Sequence, residues 1–262
     1  MPNAPDLPTL YHSPDSLFSQ FCRLVLAEKN VAYRSIVLPL GPPGYKNFQP
    51  DYVRLNSGAT VPTLVLDDLV LTDIEQYIYK IDKIFAGPKI AGDNRITTGN
   101  WVVRALALPH IDIKFSTRLQ RYAGQFQNAK CIRELQKLAR THPDLTDNYH
   151  AKIEDIKAHT ETLKKPHQSK LAQQRFSSAM DTLTGMLEKT PHLTEKNYTV
   201  ADTIWTVIVA RQQLLKRNPF QQRPALEDWF TRMKSRPSYH TANIIDHARI
   251  HPTLKMFWTL WR

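Results

Sequence analysis

Two short stretches of this chain carry residue types that could do chemistry. The first is His12-Ser13-Pro14-Asp15-Ser16, with Tyr11 before it and Ser19 after it. It sets several hydroxyls between an apolar run, Thr9 to His12, and a segment with helical spacing, Ser16 to Lys29. A hydroxyl at a helix N-terminus can donate to an anion, and the positive end of the helix dipole adds to that attraction. Ser16 could equally do no more than cap the helix, and the two roles are compatible. Ser13 is the alternative donor. Tyr11 sits on the strand and is expected to point into the domain. His12 could be a base, although a lone histidine at a strand end is more often structural. The second stretch is SGATVPTLVLDD, residues 57–68. Pro62 stands at the mouth of a buried strand, Thr63 to Leu66, yet proline has no N–H to give a ladder. It is tolerated at a strand's first residue or in a tight turn, where a cis bond would be a specific feature. Such a kink leaves the N–H and C=O of Val61 unpaired by the sheet, free for a ligand or for water.

The elements that must position these residues divide the chain in two. Residues 8–85 alternate between strand and helix. Thr9 to His12 and Tyr33 to Leu38 read as strands, and Ser16 to Lys29 as a helix with Leu17, Phe21, Leu24 and Val25 inward. Asn30 suits the left-handed conformation that ends a helix. A Pro/Gly-rich loop, Pro39 to Gly44, precedes a short helix over Asp51 to Leu55. Thr63 to Leu66, a turn at Asp67-Asp68, and Val70-Leu71 form a hairpin, and Asp73 to Phe85 is helical with Ile74, Tyr77, Ile78 and Ile81 inward. The order is βαβ then αββα, a mixed sheet with helices on it. Gly87-Pro88 and Gly92 mark a break. Beyond it Trp101 to Leu108, Leu171 to Leu187, Val200 to Leu215 and Ala225 to Met233 carry helical periodicity. Thr199 to Asp202 has the form of a capping motif. The boundaries expected are 1–86 for an α/β domain, 87–98 for a linker and 99–262 for an all-helical domain.

Composition narrows the function classes. The chain of 262 residues is 42% apolar and 23% charged, with a net charge of +11. The basic residues are dispersed and accompany no RNP, zinc-finger or helix-turn-helix signature, so a solvated basic face is expected and nucleic acid is not. No apolar run approaches the roughly 20 residues that span a bilayer, and no secretory signal is visible at the N-terminus. Cys22 and Cys131 cannot build a disulfide framework, and a reducing, cytoplasmic setting is expected.

The segments LYHSPDSLFSQFCRLVLAEKNVAY, RLNSGATVPTLVLDDLVLTD, YTVADTIWTVIVA and RPALEDWFTRMKSRPSY, in that order, resemble the cytosolic glutathione S-transferase superfamily. The basic stretch CIRELQKLARTHPDLTDNYHAKIEDIKAH resembles the insertion of the ganglioside-induced differentiation-associated protein-like subgroup and is expected as a helical insertion near 118–168. The resemblance implies the glutathione transferase fold, a thioredoxin-like α/β domain followed by an all-α domain. It implies glutathione as co-substrate, a homodimer and a small apolar electrophile as acceptor. It also implies that the Val61–Pro62 bond is cis, with Val61 pairing strand-like with the tripeptide. Ser16 matches the catalytic serine of serine-type members. Where glutathione-using members start the third helix with Glu-Ser or Asp-Ser, this chain has Asp73-Ile74, keeping the acid and losing the hydroxyl. Lys46 is a candidate for the glycyl carboxylate. Trp101, Ala105 and Leu108 are the expected acceptor wall. The alternative is a non-catalytic, transferase-like binding protein, with weak or no glutathione binding, whose basic insertion and aromatic tail, Ile244 to Arg262, contact a partner or a membrane, the tail being the candidate for peripheral membrane contact.

Overall fold

A computed structural model describes residues 7–41, 44–110, 112–115, 117–194 and 196–246, with only the backbone of residues 76, 78 and 79. The inward placement expected of Ile78 and most of the aromatic tail therefore lie outside the described residues.

The first part is a four-stranded sheet in the order β2-β1-β3-β4. The strands are β1 (Thr9–His12), β2 (Arg34–Val37), β3 (Thr63–Leu66) and β4 (Leu69–Leu71). β1 runs parallel to β2 and antiparallel to β3, and β3 pairs antiparallel with β4. The register sets Leu10 opposite Leu64, and Leu64 opposite Leu71, so three buried leucines form a row on one face. Helices α1 (Leu17–Glu28) and α3 (Ile74–Ile84) cover that face with Phe21, Tyr77 and Ile81. Side chains alternate along a strand, so Tyr11 points to the opposite face. There it meets Tyr52 of α2 (Pro50–Leu55), ring centroids 5.6 Å apart. Tyr11 is thus half-buried between the sheet and α2, inside the domain as expected, on the face away from the main core. Asn30 and Asp67 take left-handed φ values of 54° and 49° where a helix ends and a hairpin turns.

Lys29 and Asp82 form a buried ion pair of 2.9 Å behind the sheet. The Lys29 ammonium also donates to Pro88 O at 2.8 Å, and Asp82 accepts from the N–H groups of Ile90 and Ala91. These bonds seat the segment that leaves the sheet. Gly87 there has φ +100°, and a Cβ would stand 2.9 Å from Lys29 O, so only glycine fits.

The rest is helical: α4 (Arg95–Leu106), α5 (Arg118–Thr141), α6 (Thr146–Leu163), α7 (Pro166–Leu187), α8 (Val200–Leu214), α9 (Pro224–Ser235) and α10 (Pro237–Thr241). α4 begins at Arg95, earlier than its apolar spacing indicates, because Asn94 caps it by accepting from Thr97 N at 3.0 Å. α8 is the buried axis, with Ile204, Trp205, Ile208 and Val209 almost wholly enclosed. Its start is held by Asp202, fully buried, which accepts from Thr199 N (3.0 Å), Leu193 N (3.1 Å) and Trp229 Nε1 (3.1 Å). The expected capping box is present, and its acid ties together three parts of the domain.

The segment expected as a basic insertion is a hairpin of α5 and α6 with a core of its own. Leu135, Leu138, Tyr149 and Ile153 pack on Tyr45, Phe48, Val53 and Ala59 of the first part. The Tyr149 hydroxyl donates to Phe48 O at 3.1 Å. The hairpin therefore braces the chain that leads into Val61. Among the described residues no helix is long and apolar enough to cross a membrane.

Two outcomes are expected. Asp202→Ala leaves at least two buried N–H groups without an acceptor and should cost about 3 kcal/mol or more in chemical denaturation, with Asp202→Asn costing less. Tyr149→Phe strands one buried carbonyl and should cost about 1–2 kcal/mol, with faster amide exchange concentrated in residues 44–60.

Candidate active site

The loop between β1 and α1 is bound from below by one side chain. Arg23, on α1, is 5% exposed. Its Nε donates to Ala242 O at 2.8 Å, and its Nη2 donates to Asn243 O at 3.4 Å and reaches Pro14 O at 3.5 Å. Its Nη1 lies 3.2 Å from His12 Nδ1. Guanidinium only donates, so Nδ1 of His12 must accept. The imidazole proton then sits on Nε2 and is donated to Ser35 Oγ at 2.7 Å. Burial, and secondarily the Arg23 charge, lower the His12 pKa to about 4. His12 is thus a neutral strut with both nitrogens engaged, which removes it as a base for the loop.

The hydroxyls separate by exposure. Ser19 is fully buried and accepts from Ser13 N at 3.2 Å; Ser13 is 7% exposed. Ser16 is half-buried at the N-cap of α1, and its Oγ accepts from Ser19 N at 3.3 Å. A hydroxyl that accepts still has its own proton to donate. Ser16 is therefore a donor at the open, positive end of a twelve-residue helix.

The Val61–Pro62 peptide is cis. Ladder pairing of β3 with β1 begins at Thr63, opposite Tyr11, so the backbone of Val61 lies before the sheet. The turn carrying it is held by side chains that sequence reading missed. Tyr52 OH bonds Thr60 O and, at 2.8 Å, Thr63 Oγ1. Asn56 Nδ2 donates to Thr60 O at 3.1 Å and to Thr63 Oγ1 at 2.8 Å. Asn56 stands in the RLNS segment, and its Asx-type bond to Gly58 N at 3.1 Å is the local signal that could have marked it.

Asp73 caps α3, with Oδ1 accepting from Glu75 N at 2.9 Å, and is exposed. Ile74 is half-buried against the main core and supplies no hydroxyl. Lys46 is exposed in the short 3-10 turn Lys46–Phe48.

The expected acceptor wall is corrected by the packing. Trp101 and Ala105 are 8% and 0% exposed, and Trp101 O accepts from Trp205 Nε1 of α8 at 3.0 Å. These residues are the seam of α4 with α8, and Leu108 is half-buried on the same core. The groups beside the loop are instead Phe18 and His110, ring centroids 5.8 Å apart and nearly perpendicular. His110 Nε2 bonds Ala105 O at 2.7 Å, and burial lowers its pKa to about 4. Arg211 of α8, also missed from sequence, donates from Nη1 to Asp15 O at 2.8 Å. Among the described residues no group of three or more metal-ligating side chains is gathered.

Residues 15–84 match the family described as glutathione S-transferase, N-terminal domain. The chain is 28% identical over 240 residues to tetrachloro-p-hydroquinone reductive dehalogenase of Sphingobium chlorophenolicum, covering 90% of this chain and 96% of that protein. It is 26% identical over 244 residues to glutathione S-transferase TCHQD of Arabidopsis thaliana, covering 88% and 87%. The match to human ganglioside-induced differentiation-associated protein 1-like 1 is 34% identical but covers only 31% of this chain and 22% of that protein, so it supports the superfamily and not the subgroup. A glutathione S-transferase domain-containing protein of Marinobacter aquaeolei superposes with a TM-score of 0.65 at 20% identity, covering 88% of this chain and 99% of that one. The fold, the family match and the full-length relatives agree: this chain belongs to the glutathione S-transferase superfamily.

Proposed function

We propose that the chain is a glutathione-dependent transferase in which Ser16 holds the glutathione sulfur as its thiolate. The observation that supports it most is the Ser16 hydroxyl, accepting from Ser19 N and so left to donate, at the half-exposed tip of α1. A free thiol has a pKa near ~8.5 and is mostly protonated at neutral pH. One hydrogen bond to the anion and the helix dipole together contribute about 2–4 kcal/mol, enough to lower that pKa by about two units. The tripeptide would add beside β3, its cysteinyl backbone on Val61 next to Pro62. Asp73 would meet its ammonium, Lys46 its glycyl carboxylate, and the backbone N–H of Ile74 an anion at the helix start.

The reaction class is substitution or addition. In substitution the thiolate attacks an electrophilic carbon, the C–S bond forms, and the leaving group departs with the bonding electrons. The Sphingobium relative is named a reductive dehalogenase. Exchange of C–Cl for C–H consumes two thiols and releases a disulfide and HCl. Here both cysteines are buried, and burial pushes the Cys22 thiol up to about 12. Neither is suited to act as the second thiol, so this chain would reduce a halide only with a second glutathione.

One observation favours a second reading. Ile74 leaves the γ-glutamyl group without a hydroxyl partner, which would weaken glutathione by about ten- to hundredfold and suit a non-catalytic binding protein.

Steady-state kinetics with glutathione and 1-chloro-2,4-dinitrobenzene test the proposal. Ser16→Ala should lower kcat/KM by about tenfold or more, while Ser13→Ala changes it by less than about threefold. Ile74→Ser should tighten glutathione about tenfold. No retention on immobilised glutathione and no turnover at millimolar glutathione would favour the second reading. The pH–rate profile should show one limb about two units below the free thiol, belonging to the bound sulfur and displaced upward in Ser16→Ala; His12 and His110, both lowered to about 4, add none there. Their effect on stability has the opposite visibility. The unfolded chain takes up protons near pH 6.5 and the folded one only near pH 4, so stability held above pH 6.5 is lost progressively down to about pH 4. His110→Gln should flatten that part of the stability profile.

A further inference from the structure

The loop that bears Ser16 is faced by two cations from the helical part. Arg211 is 8% exposed, and its hydrogen bond is to a carbonyl, Asp15 O. Lys114, in the 3-10 turn Asp112–Lys114 that follows α4, interacts electrostatically with both Arg211 and Asp15. Among the described residues neither cation has a carboxylate within ion-pairing distance, whereas Lys29, Arg223 and Arg236 all do. Arg23, the other deeply buried arginine of this region, also lacks a carboxylate but is surrounded by carbonyl acceptors. Arg211 has one. Outside the described residues the sequence carries two acidic side chains, Asp6 and Glu195. Arg211 is enclosed and Lys114 is exposed, and the Asp15 carboxylate acts on both from beyond ion-pairing distance. An enclosed cation without a paired anion costs free energy unless one completes it.

The surroundings set the shape of that anion. Phe18 and His110 present an edge-to-face ring pair next to the loop, and His110 in turn meets Phe176 at 5.6 Å. His110 also feels the Arg211 charge. Lys114 is exposed, and its pKa is lowered to about 8, by lost solvation first and by Arg211 second, with Asp15 acting the other way. His159 of α6 also feels the Lys114 charge. Both cations belong to the helical part, while every group assigned to the tripeptide lies within the first ninety residues.

Resting on the transferase reading, we propose that the acceptor is an aromatic electrophile bearing an oxyanion, a carboxylate or phenolate, held by Lys114 and Arg211 against Phe18 and His110. This departs from the purely apolar acceptor that the family resemblance implies. It also gives the two cations a second task. Attack of thiolate on an activated ring places negative charge on the ring and its substituents before the leaving group departs, and fixed positive charge beside it stabilises that state.

The test compares a charged ligand with its neutral isostere. Ligand-observed NMR titration of the intact protein with 3,5-dinitrobenzoate and 3,5-dinitrobenzamide, neither with a halide to lose, reads binding without turnover. The benzoate should bind about tenfold tighter than the amide. Lys114→Met should remove most of the preference, Lys114→Arg should keep it, and Lys114→Glu should reverse it. Equal affinities in the unaltered protein, binding of neither ligand, or a preference untouched by Lys114→Met overturns the inference. The reactive pair, 4-chloro-3,5-dinitrobenzoate and its amide with glutathione, should show the same preference in kcat/KM. Charge-selective binding without turnover of either would retain the anion site and sink the transferase reading. Turnover of both without charge preference would do the reverse.

Discussion

A buried arginine without a carboxylate sets the geometry of this molecule's candidate site. Arg23 joins Pro14 in the β1–α1 loop, His12 at the end of β1, and Ala242 and Asn243 near the end of the described chain. A guanidinium enclosed in this way is tolerable only if its donors find fixed acceptors. The acceptors come from parts of the chain more than two hundred residues apart, so the loop cannot take its shape until the helical part has folded onto the sheet. The same side chain dictates the His12 tautomer and, through it, the bond to Ser35 on β2. Ser16 is consequently presented on a loop whose base is pinned on two sides, and Arg211 of α8 adds a third hold at Asp15 O.

The side proposed for the tripeptide is braced by a different device. The turn before Pro62 is tied by Tyr52 and Asn56, and the segment from Tyr45 to Ala59 is packed under the α5–α6 hairpin in a separate apolar cluster. The insertion thus supports the first part of the chain within a single subunit. A site assembled from one loop pinned by a buried charge and one turn clamped by a packed hairpin has little freedom left to lose on binding, which favours affinity.

What could be read from the sequence follows from the range of each interaction. Ser16 as a cap, Asn30 and Asp67 at positive φ, and the Thr199–Asp202 box are local, with their partners within three residues or in their own dihedral angles. The order of strands and helices was legible for the same reason. Arg23, Arg211 and Lys114 were not, because their partners are distant in sequence and a basic residue on a helix reads as solvated. Trp101 and Ala105 show the complementary error. An apolar stripe has the same spacing whether it faces a cavity or another helix, and here it faces α8. The family resemblance supplied the role proposed for Val61 and Pro62, which residue types alone left open between a ligand and water.

The central claim is that the Ser16 hydroxyl keeps the bound glutathione sulfur anionic. Thiolate absorbance in the ultraviolet, measured as a difference spectrum of glutathione bound to the protein across a pH titration, tests it most directly. The account predicts a bound thiol titrating about two units below the free one, returning toward the free value in Ser16→Ala and not in Ser13→Ala. An unshifted thiol in the unaltered protein, or a shift that survives Ser16→Ala, would contradict it.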